Sequence, residues 1–125
     1  MTAVDYFDGR GTPNERDTLP EFLANLSRYG IDGKVTTHHP DLPLEGEFDF
    51  VFIDGAHDRD SVTADIAKAL DVLSPGGLIA FHDYGTTDPG VITAVNEFIE
   101  RGAKLLSRHE SLAVVRPPAA IPMEV

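Results

Sequence analysis

Two apolar runs constrain this chain more than any other feature in it. Residues 50–53 read Phe-Val-Phe-Ile, and residues 78–81 read Leu-Ile-Ala-Phe. Four apolar residues without polar interruption predict a strand buried on both faces, the kind found in a parallel sheet. Between the runs lies "RDSVTADIAKALDVL", with Val62, Ile66, Leu70 and Leu73 at helical spacing and "SPGG" as a stop signal. Strand, helix, strand in that order predicts a parallel pair joined by a crossover helix.

The flanking segments continue the alternation. "TAVDYF" predicts a strand and "DGRGTPNERD" a polar loop. "TLPEFLANLSRYG" predicts a helix with Thr18 and Glu21 at capping-box spacing, Leu19, Leu23 and Leu26 on one face, and Gly30 as its left-handed end. "KVTTHH" is a weaker strand, after which His39 and Pro40 enter a loop. Asp88 and Pro89 fit the cap and first residue of a third helix, faced by Val91 or Ile92, Val95, and Phe98 or Ile99, and closed by Gly102. "KLLSRHESLAVVR" predicts an antiparallel pair of strands turning at His109 and Glu110. Residues 117–125, "PPAAIPMEV", form a proline-rich tail.

Composition narrows the class. Ten Lys and Arg stand against 21 Asp and Glu, a net charge of -11, which argues against a nucleic-acid partner. No apolar run approaches the roughly 18–20 residues of a membrane span, so no membrane association is expected. The absence of cysteine removes disulfides, thiolate nucleophiles and Cys-based zinc sites, and fits a cytoplasmic protein.

Chemistry concentrates where the two apolar runs end. The first delivers Asp54, Gly55, Ala56 and His57; the second delivers His82 and Asp83. Ligands of parallel α/β sheets bind outside the carboxyl ends of the strands. If these strands are neighbours, about 4.8 Å apart, Asp54, His82 and Asp83 converge on one small volume. Two close carboxylates repel one another, and a divalent cation removes that cost. Asp54-Gly55 is also ordinary turn chemistry, and His57 also suits the start of a helix.

The string "FIDGAHDRDSVTADIAKALDVLSPGGLIAFHDYG", with "PGVITAVNEF" and "SLAVVR" after it, resembles the second half of a class I S-adenosylmethionine-dependent methyltransferase. Within that fold it is similar to small-molecule O-methyltransferases, including metal-using catechol and macrocin types. "AVDYFDG" and "TLPEFLANLSRYGI" resemble the second strand and following helix of the same fold, so the likeness runs from residue 2 to about 116. The resemblance implies an α/β Rossmann-like sheet, mostly parallel with an antiparallel C-terminal hairpin. Residues 1–116 would form a partial methyltransferase domain, with 117–125 as its tail. It implies methyl transfer from S-adenosylmethionine to a small-molecule hydroxyl, assisted by Mg²⁺ or another divalent cation. Asp5 matches the acid that holds the cofactor's ribose hydroxyls, and Asp54 is a second cofactor-side residue. Asp54, Asp83 and His82 match the metal position, and His57 or His82 the base.

One departure shapes the expectations. The fold's first strand and glycine-rich loop should precede Asp5, and only Met1 to Val4 do; Gly9-Arg10-Gly11 lies after the second strand. The resemblance therefore implies an N-terminally truncated domain that binds S-adenosylmethionine weakly or undetectably by itself. The edges left beside "TAVDYF" and "DFVFID" would be repaired by direct pairing or by a homo-oligomer, of which association is favoured. A non-catalytic remnant acting through protein contacts is the alternative reading.

Overall fold

The computed structural model describes residues 1–5, 7–8, 16–85 and 89–118. The chain divides into two compact units, Met1–Leu44 and Glu45–Val125, each with its own sheet.

In the first unit, β1 (Thr2–Val4) pairs in parallel with β2 (Thr36–His38), and α1 (Leu19–Arg28) lies between them in sequence. The expected capping box does not form. Thr18 makes no side-chain cap; Asp17 accepts from the Leu19 N–H at 3.1 Å instead, and Glu21 pairs with Arg16. The apolar face is thinner than the leucine spacing predicts, since Leu26 is buried while Leu23 is exposed. Gly30 ends the segment with φ of 70°, the left-handed geometry that glycine adopts without steric cost. Tyr6 and the Gly9-Arg10-Gly11 string lie outside the described residues.

The second unit carries β3 (Phe48–Ile53), α2 (Arg59–Val72), β4 (Leu73–Phe81), α3 (Pro89–Glu100), β5 (Lys104–His109) and β6 (Leu112–Arg116). Its sheet runs β3-β4-β6-β5. β3 and β4 are parallel, as the crossover helix requires, and β6 is antiparallel to both β4 and β5. The hairpin after α3 turns at Glu110 and inserts β6 between β4 and β5, so only β6 opposes the rest. This is the expected α/β arrangement with its antiparallel C-terminal hairpin.

Alternate residues of the sheet face the two helices. Ile53, Ile79, Phe81, Ala113 and Val115 join Val62 and Ile66 of α2 and Val91, Val95 and Phe98 of α3 in one core. Ile79, Phe81, Val95 and Val115 are fully buried, each contributing roughly 1.5–3 kcal/mol of hydrophobic stabilisation. Pro89 opens α3 as expected, while its expected cap, Asp88, lies outside the described residues. Most of the tail, residues 119–125, does too.

Two expectations change. β3 is not buried on both faces: Phe50 and Phe52 are 54% and 51% exposed, because the helices of this unit pack on its Val51–Ile53 face. "LSPGG" is not a free stop after α2 but the irregular start of β4. Leu73 pairs with Phe48, and the Ser74 hydroxyl donates to Asp49 Oδ1 at 2.6 Å. Leu73 thereby leaves the α2 face, whose buried positions are Val62, Ile66, Ala69 and Val72. None of the described helices is long and apolar enough to cross a membrane.

Candidate functional site

Parallel register brings the polar strand ends together. Ile53 lies opposite Phe81, and the His82 N–H donates to the Ile53 carbonyl at 3.1 Å. Asp54 and His82 therefore leave the sheet side by side. His82 Nδ1 lies 3.3 Å from Asp54 Oδ1 and 3.1 Å from Asp83 Oδ2. The convergence expected of Asp54, His82 and Asp83 is present.

His57 joins them from the start of α2. Asp58 caps that helix by accepting the Ser61 N–H at 3.0 Å, and hydrogen bonds from Ser61 hold its carboxyl below the usual range. With the helix start fixed, the loop from β3 is only Asp54 to His57, and it returns the His57 ring over the strand ends. His57 Nε2 lies 2.8 Å from Asp83 Oδ2. One ligand atom each from Asp54, His57 and Asp83 lies within 4.8 Å of the others. The resemblance gives His57 a base's role and its position suits a helix start; its place beside both carboxylates was readable in the short Asp-x-x-His spacing before a helix cap.

Asp83 is the centre of this group. Its side chain is 19% exposed, against 43–49% for the other three. Its backbone sits at φ of 62°, a left-handed conformation that Asp tolerates better than most residues. Tyr84 follows, its N–H donating to the Ser111 carbonyl and its hydroxyl to Asn96 Oδ1 at 2.8 Å. Those bonds fix the chain just past Asp83. The hydrogen bond to Asp83, reinforced by the Asp54 charge, raises the His82 pKa above its ordinary value. Beneath these polar groups, Ile53, Val62, Phe81 and Val91 form the apolar floor of a small depression.

The remaining candidates lie in the first unit. Asp5 follows β1; its N–H donates to the His38 carbonyl at 3.2 Å and its Oδ1 accepts from the Phe7 N–H at 3.0 Å. His38 ends β2 with Nε2 3.1 Å from the Leu42 carbonyl, and His39 Nδ1 accepts from the Asp41 N–H at 3.1 Å. Both rings are engaged in local structure, and His39 lies in the loop expected of it.

A family model for a methyltransferase domain matches residues 1–84. The chain belongs to this methyltransferase-domain family. The domain superimposes on the O-methyltransferase NovP with a TM-score of 0.73 at 16% identity, over 93% of this chain and 59% of that one. The S-adenosylhomocysteine-bound methyltransferase PaMTH1 of Podospora anserina gives 0.68 at 16%, over 94% and 60%. The O-methyltransferase TomG of Streptomyces achromogenes, in complex with S-adenosylmethionine, gives 0.62 at 16%, over 93% and 71%. These superpositions show the shared Rossmann-like methyltransferase fold. The domain thus spans about three fifths of the NovP and PaMTH1 chains. No curated protein matches its sequence.

Proposed function

We propose that this domain takes part in methyl transfer from S-adenosylmethionine to a hydroxyl of a small molecule, assisted by a divalent cation. The observation that carries the reading is the meeting of Asp54, His57 and Asp83 within 4.8 Å at the strand ends of a methyltransferase-family fold. Two carboxylate oxygens and an imidazole nitrogen suit Mg²⁺ or Mn²⁺. Asp54 and Asp83 are the principal ligands in this reading, with His57 or His82 completing the set. When bound, such an ion lowers the pKa of an acceptor hydroxyl and fixes its direction.

The chain's own groups supply the rest. The apolar floor excludes water beneath the reacting hydroxyl. The imidazole not engaged as a ligand takes the hydroxyl proton, and Asp83 stabilises the imidazolium that forms. His82 suits the role because its neighbouring carboxylates raise its proton affinity. Asp5 would hold the ribose hydroxyls of the methyl donor, its carboxylate steadied by the Phe7 N–H, with Asp54 a further cofactor-side group. Residues 1–116 act as one methyltransferase-domain portion, and the cysteine-free composition supports a cytoplasmic setting.

The test is S-adenosylhomocysteine formation from S-adenosylmethionine with catechol-type and sugar-type hydroxyl acceptors, with Mg²⁺ or with a chelator. Product that depends on the cation supports the whole reading. Product undiminished by the chelator removes the cation, and absence of product with S-adenosylmethionine bound removes the transfer reading.

A second reading rests on β3, whose open edge and exposed Phe50 and Phe52 suit contact with protein. In that reading the domain works by association, first with a second copy of itself.

A further inference from the structure

Gly90 stands in the first turn of α3, outside the group of residues that form the site. The backbone that carries His57 passes directly beneath it. A Cβ at Gly90 would overlap the His57 carbonyl oxygen and lie 2.8 Å from the Arg59 nitrogen and 2.9 Å from the Asp58 Cα. All three neighbours are backbone atoms. No change of rotamer can relieve such contacts, so any side chain at this position must move either the helix or the His57–Arg59 segment.

That segment has one functional consequence nearby. It sets the His57 ring, whose Nε2 lies 2.8 Å from Asp83 Oδ2. A displacement on the order of 1 Å carries a contact of this length beyond hydrogen-bond range. We propose that Gly90 is a positioning residue: its missing side chain lets α3 seat on the His57–Arg59 backbone, and that seat aims His57 at Asp83. The role in catalysis rests on the proposed reading of the site; the geometric coupling does not.

A second link joins the same elements. Arg59 Nε donates to Glu97 Oε1 at 3.0 Å and its Nη2 to Oε2 at 2.6 Å, clasping α2 to α3. The clasp is made by long, half-exposed side chains that can readjust. The Gly90 seat is made of backbone and cannot. The seat, not the clasp, therefore sets the ring.

The experiment compares the His57 side-chain ¹⁵N resonances at one fixed pH, without metal, in four backgrounds. Asp83→Asn should shift these resonances in the native chain and lose that effect in Gly90→Ala. An equal response to Asp83→Asn in both overturns the proposal. Should Gly90→Ala fail to fold, Glu97→Gln decides: it releases the clasp and leaves the seat. An undiminished Asp83→Asn response in Glu97→Gln supports the seat, and a lost response assigns the positioning to the clasp and overturns the proposal. Failure of the cation reading is seen separately, as absence of Mn²⁺-induced broadening in the native chain.

Discussion

Asp83 Oδ2 accepts from His57 at 2.8 Å and lies 3.1 Å from His82 Nδ1, so one carboxylate oxygen serves two imidazoles from different loops. The arrangement follows from chain geometry. His82 is held by β4 pairing with β3, whereas His57 arrives through the α2 cap, and both meet at the least exposed acid of the group. That carboxylate is the contact the two rings share.

The first prediction follows from that central position. Asp83→Asn should weaken Mn²⁺ binding ~10-fold or more, and Asp54→Asn should also weaken it, by a smaller factor. His39→Ala, whose ring is tied to the Asp41 N–H, should leave affinity unchanged. Electron paramagnetic resonance titration of free Mn²⁺ measures all three. If neither Asp substitution alters affinity, the site holds no cation and Asp54 is a turn residue.

A second prediction concerns the floor. Phe81 is fully buried and immediately precedes His82. Phe81→Ala should cost about 3–5 kcal/mol of unfolding free energy, the usual penalty for emptying an aromatic-sized space in a core. Urea denaturation reads it directly. A loss below about 1 kcal/mol would mean that the sheet and α3 are not packed as described.

Much of this fold was legible because its signals were local. Apolar runs at 50–53 and 78–81, helical periodicity between them and the polar residues at their ends predicted the parallel pair and the meeting of Asp54 with His82 and Asp83. What was not legible depended on neighbours. Phe50 and Phe52 read as core residues, because an unbroken apolar run does not say that the helices pack on one face of β3 only. The Thr18–Glu21 capping box failed because Asp17 and Arg16 offered competing partners. The seat beneath Gly90 leaves no periodic trace; it is a contact between residues more than thirty positions apart.

The third prediction concerns pH. The Asp65 carboxylate on α2 lies where a Cβ on Gly55 would be 3.0 Å away, and burial raises its pKa above the usual value. A raised folded pKa contributes stability that is present below the unfolded value, near 3.9, and lost as pH rises through the folded value. At neutral pH the folded chain therefore carries a partly desolvated charge. Asp65→Asn should raise the melting temperature at pH 7 and lose that advantage below about pH 3, where the acid is neutral in both states. Calorimetry at the two pH values checks it. An equal gain at both would assign the effect to packing rather than charge.

The last prediction concerns the open edge of β3. Its hydrogen-bonded neighbour is β4, and the opposite edge has none among the described strands. Natural edges are guarded by lysine, proline, bulges or a covering element. β3 reads Phe-Asp-Phe-Val-Phe-Ile, with one charge, no lysine or proline, and two half-exposed phenylalanines on its outer face. Two copies that pair β3 to β3 in antiparallel fashion make a closed two-fold contact, in which each strand satisfies the other and Phe50 and Phe52 lose water. The chain should therefore associate in a concentration-dependent way, and Phe52→Lys should drive it toward the monomer while leaving the helix-facing core untouched. Light scattering across a dilution series measures both. A native chain that stays monomeric throughout would rule the contact out, and unchanged association in Phe52→Lys would move it to another surface.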